Sequence, residues 1–217
     1  MNTIVYTVNL DGYDNLYPSP KSLFTRPDNF RYLYFTDGDK CPDGWELVKI
    51  PKGCRRESRY WKINSHLLPE HNVSIYLDAS FSFQKPLKKL LEYLRGDMAI
   101  CKHWHENVFK HATVCGVLKL DKQGIINKQV AKYPPEVGDI PLTENGLIIR
   151  KNNAIIKELN EEWWKEYEQG SCRDQISLPY AIWKVKPKIT YFPFSVRNNR
   201  FLEWHSTHNK PRELDNC

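Results

Sequence analysis

The 217-residue chain is 41% hydrophobic and 27% charged, with a formal net charge of +6 and a mean hydropathy of −0.63. That balance suits a globular α/β-sized domain with a large buried core and excludes a membrane-embedded protein. The positive charge suits an anionic partner, whether nucleic acid, phosphorylated small molecule or acidic lipid surface, without choosing among them.

The N-terminal stretch "MNTIVYTVNLDGYDN" lacks the basic flank and long apolar run of a signal peptide, and no apolar run approaches the roughly 18 to 20 residues of a membrane span. A cytoplasmic protein is expected. Six scattered cysteines without a CxxC predict free thiols. In chain order, apolar and β-branched runs predict strands over 3–10, 30–37, 45–50, 73–78, 97–104, 146–150 and 188–192. Helices are expected over 55–68, 86–96, 105–115, 152–170 and 171–184. Alternation of the two kinds predicts an α/β fold with a mostly parallel sheet covered on both faces. Pro134-Pro135 with "EVGD" marks a surface loop, and the polar tail after Phe201 is expected to order on a ligand. Neither GxGxxG nor GxxxxGK[ST] occurs, so no dinucleotide fingerprint or P-loop is present.

The loop after the first strand offers Tyr13 to stack on a base, and the loop after the second offers Asp37 to accept a hydrogen bond from one. On the helix that follows, Arg55, Arg59, Lys62 and His66 form a basic stripe, and Tyr60, Ile63 and Leu67 an apolar one that would dock on the sheet. The next strand, "SIYLD", ends on Asp78, followed by small Ala79 and Ser80. An acid at a strand end lies where such sheets bind ligands, and its oxygens suit Mg²⁺ or Mn²⁺; the plainer role is a cap on the turn. Cys101, His103, His105, His111 and Cys115 are zinc-ligand types in an unfamiliar spacing, readable as a zinc site or as residues lining a sugar pocket. Ser171 and Asp174 fit a capping box, while Asp174 with Gln175 could also touch a sugar. His205 and His208 in "EWHSTHNKP" are candidate metal ligands.

In this order the residues resemble a GT-A glycosyltransferase, a single Rossmann-like domain whose metal-dependent members carry a DxD motif at a strand end. The chain is similar to glycosyltransferase-like domains that combine R-x-x-x-K, a strand ending in Asp, and R-D-Q. Here these are Arg59-Tyr60-Trp61-Lys62, one residue shorter than that pattern, "IYLDAS" and Arg173-Asp174-Gln175. It resembles, too, the amino-terminal domains of chlorella-virus capsid-glycosylating proteins and, more distantly, the retaining glycogenin-like enzymes. In the latter, "TENGLIIR" with Asn145 and Gly146 echoes "FNAG", and "HSTHNKP" echoes "HxxGxxKP" one residue out of step.

The resemblance implies residues 1–217 as one glycosyltransferase domain, with a nucleotide-binding half over 1–100 and a sugar and acceptor half over 101–217. The end at Cys217 leaves a longer chain open. It also implies a UDP-sugar donor, a glycan or glycoprotein acceptor, Mn²⁺ or Mg²⁺, no nucleic acid, and retention of configuration, with inversion as the alternative. Thr7, Asn9, Tyr13 and Asp37 would hold uridine, and Arg59 and Lys62 the diphosphate. Asp78, Ser80 and His205, with His208 as the second choice, would serve the metal; Ala79, His103, Asn145 and Gly146 would line the donor; Asp174 and Gln175 would lie near the anomeric carbon. A lectin-like or nucleic-acid-binding module and a zinc hydrolase are the competing readings.

Overall fold

The computed structural model describes residues 1–17, 19, 29–105 and 107–209. Its strands are β1 (Thr3–Asn9), β2 (Phe30–Thr36), β3 (Glu46–Lys49), β4 (Val73–Leu77), β5 (Phe81–Phe83), β6 (Met98–Lys102), β7 (Thr143–Lys151), β8 (Ile189–Phe192) and β9 (Leu202–Trp204). Seven form one sheet in the order β3-β2-β1-β4-β7-β6-β8. Strand β7 runs antiparallel to β4 and β6, and every other neighbouring pair is parallel. The expected α/β fold is therefore present, compatible with a Rossmann-like GT-A domain.

Helices α1 (Arg55–Ile63), α2 (Val108–Val117), α3 (Gln123–Val130), α4 (Ala154–Glu168) and α5 (Asp174–Val185) flank the sheet. Side chains alternate across each strand. Ile4, Tyr6 and Val8 of β1 pack toward Ile63, Leu159, Trp163 and Leu178, whereas Val5 faces the opposite core with Ile75, Leu77, Leu147 and Phe83. A third cluster joins Val108, Cys115, Ile126, Val137 and Ile176.

Arg150 of β7 is fully buried and ties these layers together. Its guanidinium donates to the Ile63 and Lys62 carbonyls, each at 2.7 Å, to Asn160 Oδ1 at 2.8 Å, and to Tyr6 Oη. The carbonyls left open at the end of α1 are thereby satisfied from another element.

Several expected elements differ. The helix expected to Leu68 stops at Ile63, where Asn64 Nδ2 donates back to the Tyr60 carbonyl, and a short 3₁₀ turn follows. Leu67 consequently points to solvent instead of the sheet. Residues 87–93 and 135–139 are 3₁₀ turns, and the second is not a surface loop throughout, because Val137 is fully buried. Helix α3 and the pair β5 and β9 were not expected from the sequence. Among the described cysteines, Cys41, Cys101, Cys115 and Cys172 are free thiols as expected, whereas Cys54 is disulfide-bonded.

Candidate functional site

Asp78 is the first residue beyond β4, and its N–H donates to the Gly146 carbonyl of β7 at 2.9 Å. Its Oδ1 accepts from Tyr76 Oη at 2.7 Å and lies 3.3 Å from Lys62 Nζ, while 31% of the side chain remains exposed. Gly146 backs the carboxylate closely: a Cβ there would stand 3.3 Å from Asp78 Oδ2 and 3.2 Å from Phe81.

Lys62 reaches this point because α1 turns one cationic edge inward. Only 2% of its side chain is exposed, and its ammonium also lies 2.7 Å from Asp174 Oδ2. One buried cation thus joins a carboxylate on β4 to one in the first turn of α5. Arg59, almost one turn earlier, places Nε 3.5 Å from the same Asp174 oxygen. The rest of the expected stripe does not join them: His66 lies past the helix end near Asn160, and the Arg55 side chain is outside the described structure.

The Ser171–Asp174 capping box does not form. Arg173 is the N-cap residue, and Ser171 Oγ donates instead to Asp121 Oδ2 at 2.6 Å. Buried Trp163 of α4 donates to the Asp174 carbonyl at 3.3 Å and to Ser177 Oγ at 3.1 Å, fixing the turn that aims Asp174 inward. Burial pushes the Asp174 carboxyl up, but Lys62 and Arg59 outweigh it and hold the group well below the usual carboxylate range. A depressed folded-state value stabilises the fold above the unfolded value of 3.8, and that stabilisation is lost as pH falls below it. Urea titrations are expected to show an acid slope between pH 4 and 2 that is shallower in Asp174→Asn by up to about 1.4 kcal/mol per pH unit. Equal slopes would contradict the clamp.

The C-terminal segment arrives at the same edge through β5 and β9, which pair antiparallel. His205 N–H donates to the Ser80 carbonyl at 2.8 Å, its ring stacks on Tyr17 at 3.9 Å, and its Nε2 is 2.9 Å from Ser82 Oγ. His208 Nδ1 pairs with Asp14 Oδ1 at 2.6 Å, and its ring stacks on Tyr13 at 4.6 Å. Lys210 and Pro211 of the same motif lie outside the described residues. The loop after β1 and the tail therefore clasp each other beside Asp78.

Asp14 was not anticipated. Burial pushes its carboxyl up, the His208 pairing opposes this, and the negative charge of Asp78 adds to the rise. Asp14 pairs with His208, and Asp78 is near enough for its charge to be felt at Asp14; carboxylate oxygens and an imidazole are donor types that suit Mn²⁺ or Mg²⁺.

Other expected residues mostly shape this edge. Asn9 Nδ2 donates to the Asp14 carbonyl and to Tyr34 Oη, both at 2.8 Å, and Asp37 Oδ1 accepts from Asp11 N–H at 2.9 Å. Thr7 lines a crevice with Asn15, Tyr17, Tyr34, Trp45 and Ala79, whose aromatic walls had not been singled out in the sequence. Ser80 is buried. Asn145 Oδ1 accepts from Thr143 Oγ1 at 2.7 Å, and its buried Nδ2 has no hydrogen-bond partner among the described residues. Gln175 is held by the Thr143 carbonyl and by Arg173, each at 2.8 Å.

From the Cys/His cluster, His103, His105 and His111 gather with ligand nitrogens within 4.8 Å of one another, and Cys115 Sγ lies 3.3 Å from His111 Nε2. Cys101 points into the sheet core instead. Burial, with neighbouring positive charge that includes Arg173, lowers the His103 value to about 4 and that of His111 to about 3. Both rings are neutral at pH 7.

A model of the TOD1/MUCI70 glycosyltransferase-like domain matches residues 45–208, from the edge of β3 through the histidine tail. The chain belongs to this family. The TOD1/MUCI70 match takes in Lys62, Asp78, Asp174 and His208 and begins after β1, β2 and the Asp14 loop. No curated protein matches the chain. Among the described residues of this TOD1/MUCI70 member, no helix is long and apolar enough to cross a membrane.

Proposed function

We propose that the protein moves a hexose from a UDP-sugar to a glycan or glycoprotein acceptor, using Mn²⁺ or Mg²⁺ held at Asp78 and His208, with Asp14 beside them. The observation that carries this reading is the half-open Asp78 carboxylate at the end of a central strand, oriented by Tyr76 and Lys62. Ligands of open α/β sheets bind at that place. A divalent ion bound there supplies charge stabilisation to the departing diphosphate.

Arg59 would meet the phosphates from α1. Lys62 acts one step back. Its buried charge fixes both Asp78 and Asp174. Asn145, with an unpaired amide nitrogen, suits a sugar hydroxyl. Asp174 stays ionised and clamped by two cations, which makes it a weak proton acceptor. That favours retention, with Asp174 steadying positive charge on the sugar, over inversion with Asp174 as base. The likeness to chlorella-virus domains suggests capsid glycan synthesis in a host cytoplasm as the setting.

Incubation with Mn²⁺ and a panel of UDP- and GDP-sugars tests the reading. Slow, Mn²⁺-dependent release of UDP from one UDP-sugar is expected, with NMR showing the donor's anomeric configuration preserved in the product. No release and no nucleotide-induced thermal shift would contradict it. Binding of single-stranded nucleic acid, with affinity falling by about one log-log unit per phosphate contacted as salt rises, would instead favour a binding module.

A further inference from the structure

We infer that His103, His105 and His111 form a second metal site, separate from Asp78, that takes a nitrogen-preferring transition ion, Zn²⁺ by its chemistry. The three come from different local structures. His103 and His105 follow β6, and His111 lies one turn into α2. Their rings converge with centroids 4.6 to 5.2 Å apart. The turn from β6 into α2 is what folds them together, and neutral imidazoles gain little from one another.

His105 Nδ1 and His111 Nδ1 are 2.8 Å apart, and His105 N–H donates to His103 Nδ1 at 3.0 Å. His111 Nε2 is 3.3 Å from buried Cys115 Sγ, the arrangement by which an outer partner fixes a ligating ring and leaves the other nitrogen facing inward. His105 is only 9% exposed, yet its Nε2 has no hydrogen-bond partner among the described residues. That nitrogen lies across the ring from Nδ1, so an ion taken up between the two Nδ1 atoms leaves it as the outer nitrogen of a ligating ring.

Geometry and charge narrow the ion. Nitrogens at about 2.0 to 2.1 Å from a tetrahedral Zn²⁺ stand roughly 3.3 Å apart, so the closest pair opens by about half an ångström on binding. Arg173 and Arg197 lend the pocket positive potential. That field opposes every divalent cation, Zn²⁺ included, and it is the all-nitrogen ligand set that favours Zn²⁺ over the oxygen-seeking Mg²⁺ and Ca²⁺. Trp104, 79% exposed, packs on the His105 ring with centroids 3.6 Å apart and covers one side of the cluster. A metal here would pin the β6–α2 connection next to Arg173, independently of catalysis at Asp78.

The test uses the full chain and Zn²⁺ alone. Equilibrium dialysis followed by metal analysis is expected to give one Zn²⁺ per chain at micromolar free metal, and Co²⁺ is expected to give the visible absorption of a four-coordinate site. His105→Ala and His103→Ala, each checked for a cooperative melt, are expected to lose at least tenfold in Zn²⁺ affinity. His111→Ala sits in the core and is not relied on. Asp78→Asn is expected to keep the Zn²⁺ stoichiometry, which separates this site from the proposed donor site. Folded wild-type protein that retains no Zn²⁺ would overturn the inference, as would unchanged affinity in folded His103→Ala and His105→Ala or loss of the ion in Asp78→Asn.

Discussion

Asp78→Asn is expected to lower UDP-sugar turnover roughly a hundred- to a thousand-fold while leaving the fold intact. The amide keeps the shape of the carboxylate, so Tyr76 Oη retains its acceptor. Lys62 is not orphaned, because its shorter contact is to Asp174 at 2.7 Å. Stability should therefore change by no more than about 1 kcal/mol. What disappears is the negative charge at the strand end, and with it the proposed hold on a divalent ion. Turnover falling in kcat with an unchanged melting temperature separates this outcome from a packing defect. A variant as active as its parent would remove Asp78 from the chemistry.

The second large effect falls on stability. Arg150→Met is expected to cost roughly 3–5 kcal/mol in urea unfolding, although the methionine fills much of the same space. The buried guanidinium is held by the Lys62 and Ile63 carbonyls, Asn160 Oδ1 and Tyr6 Oη, with no carboxylate among these contacts. Burial accordingly pushes its pKa below the usual arginine value. Removing the donors takes away the Arg150 bonds to the Ile63 carbonyl and Asn160 Oδ1, each buried acceptor worth about 1–3 kcal/mol, while the Lys62 carbonyl keeps Tyr6 Oη at 2.7 Å. Since Lys62 is one of those residues, the position of its ammonium under Asp78 and Asp174 depends on the same hub. A loss below about 1 kcal/mol would mean that the hub is dispensable and that α1 is held by packing alone.

The seven strands of the main sheet were legible because each is a short apolar run between polar stretches, and the position of Asp78 past the fourth followed directly. Arg59, Lys62 and Asp174 were legible as residue types, but their mutual contact was not. It arises where α1 crosses the first turn of α5, and spacing within either helix does not encode that crossing. Strands β5 and β9 are three residues each, too short to show a period, although their pairing is what carries His205 and His208 to the Asp78 edge. Asp14 stood in the quoted loop "LDGYDN", where three acids and amides look alike as turn formers until the tail folds back on one of them. Arg150 ended an apolar strand and read as its boundary. Its burial depends on four acceptors from other elements. In each case the missing information is a partner distant in sequence.

The most direct measurement is an anomalous difference map from crystals grown with Mn²⁺ and UDP. The expected result is a manganese peak roughly 2.0–2.3 Å from an Asp78 oxygen, with the diphosphate on its other side and His208 adjacent. Manganese bound elsewhere, with the Asp78 carboxylate still on Lys62 and Tyr76, would contradict the proposed catalytic centre.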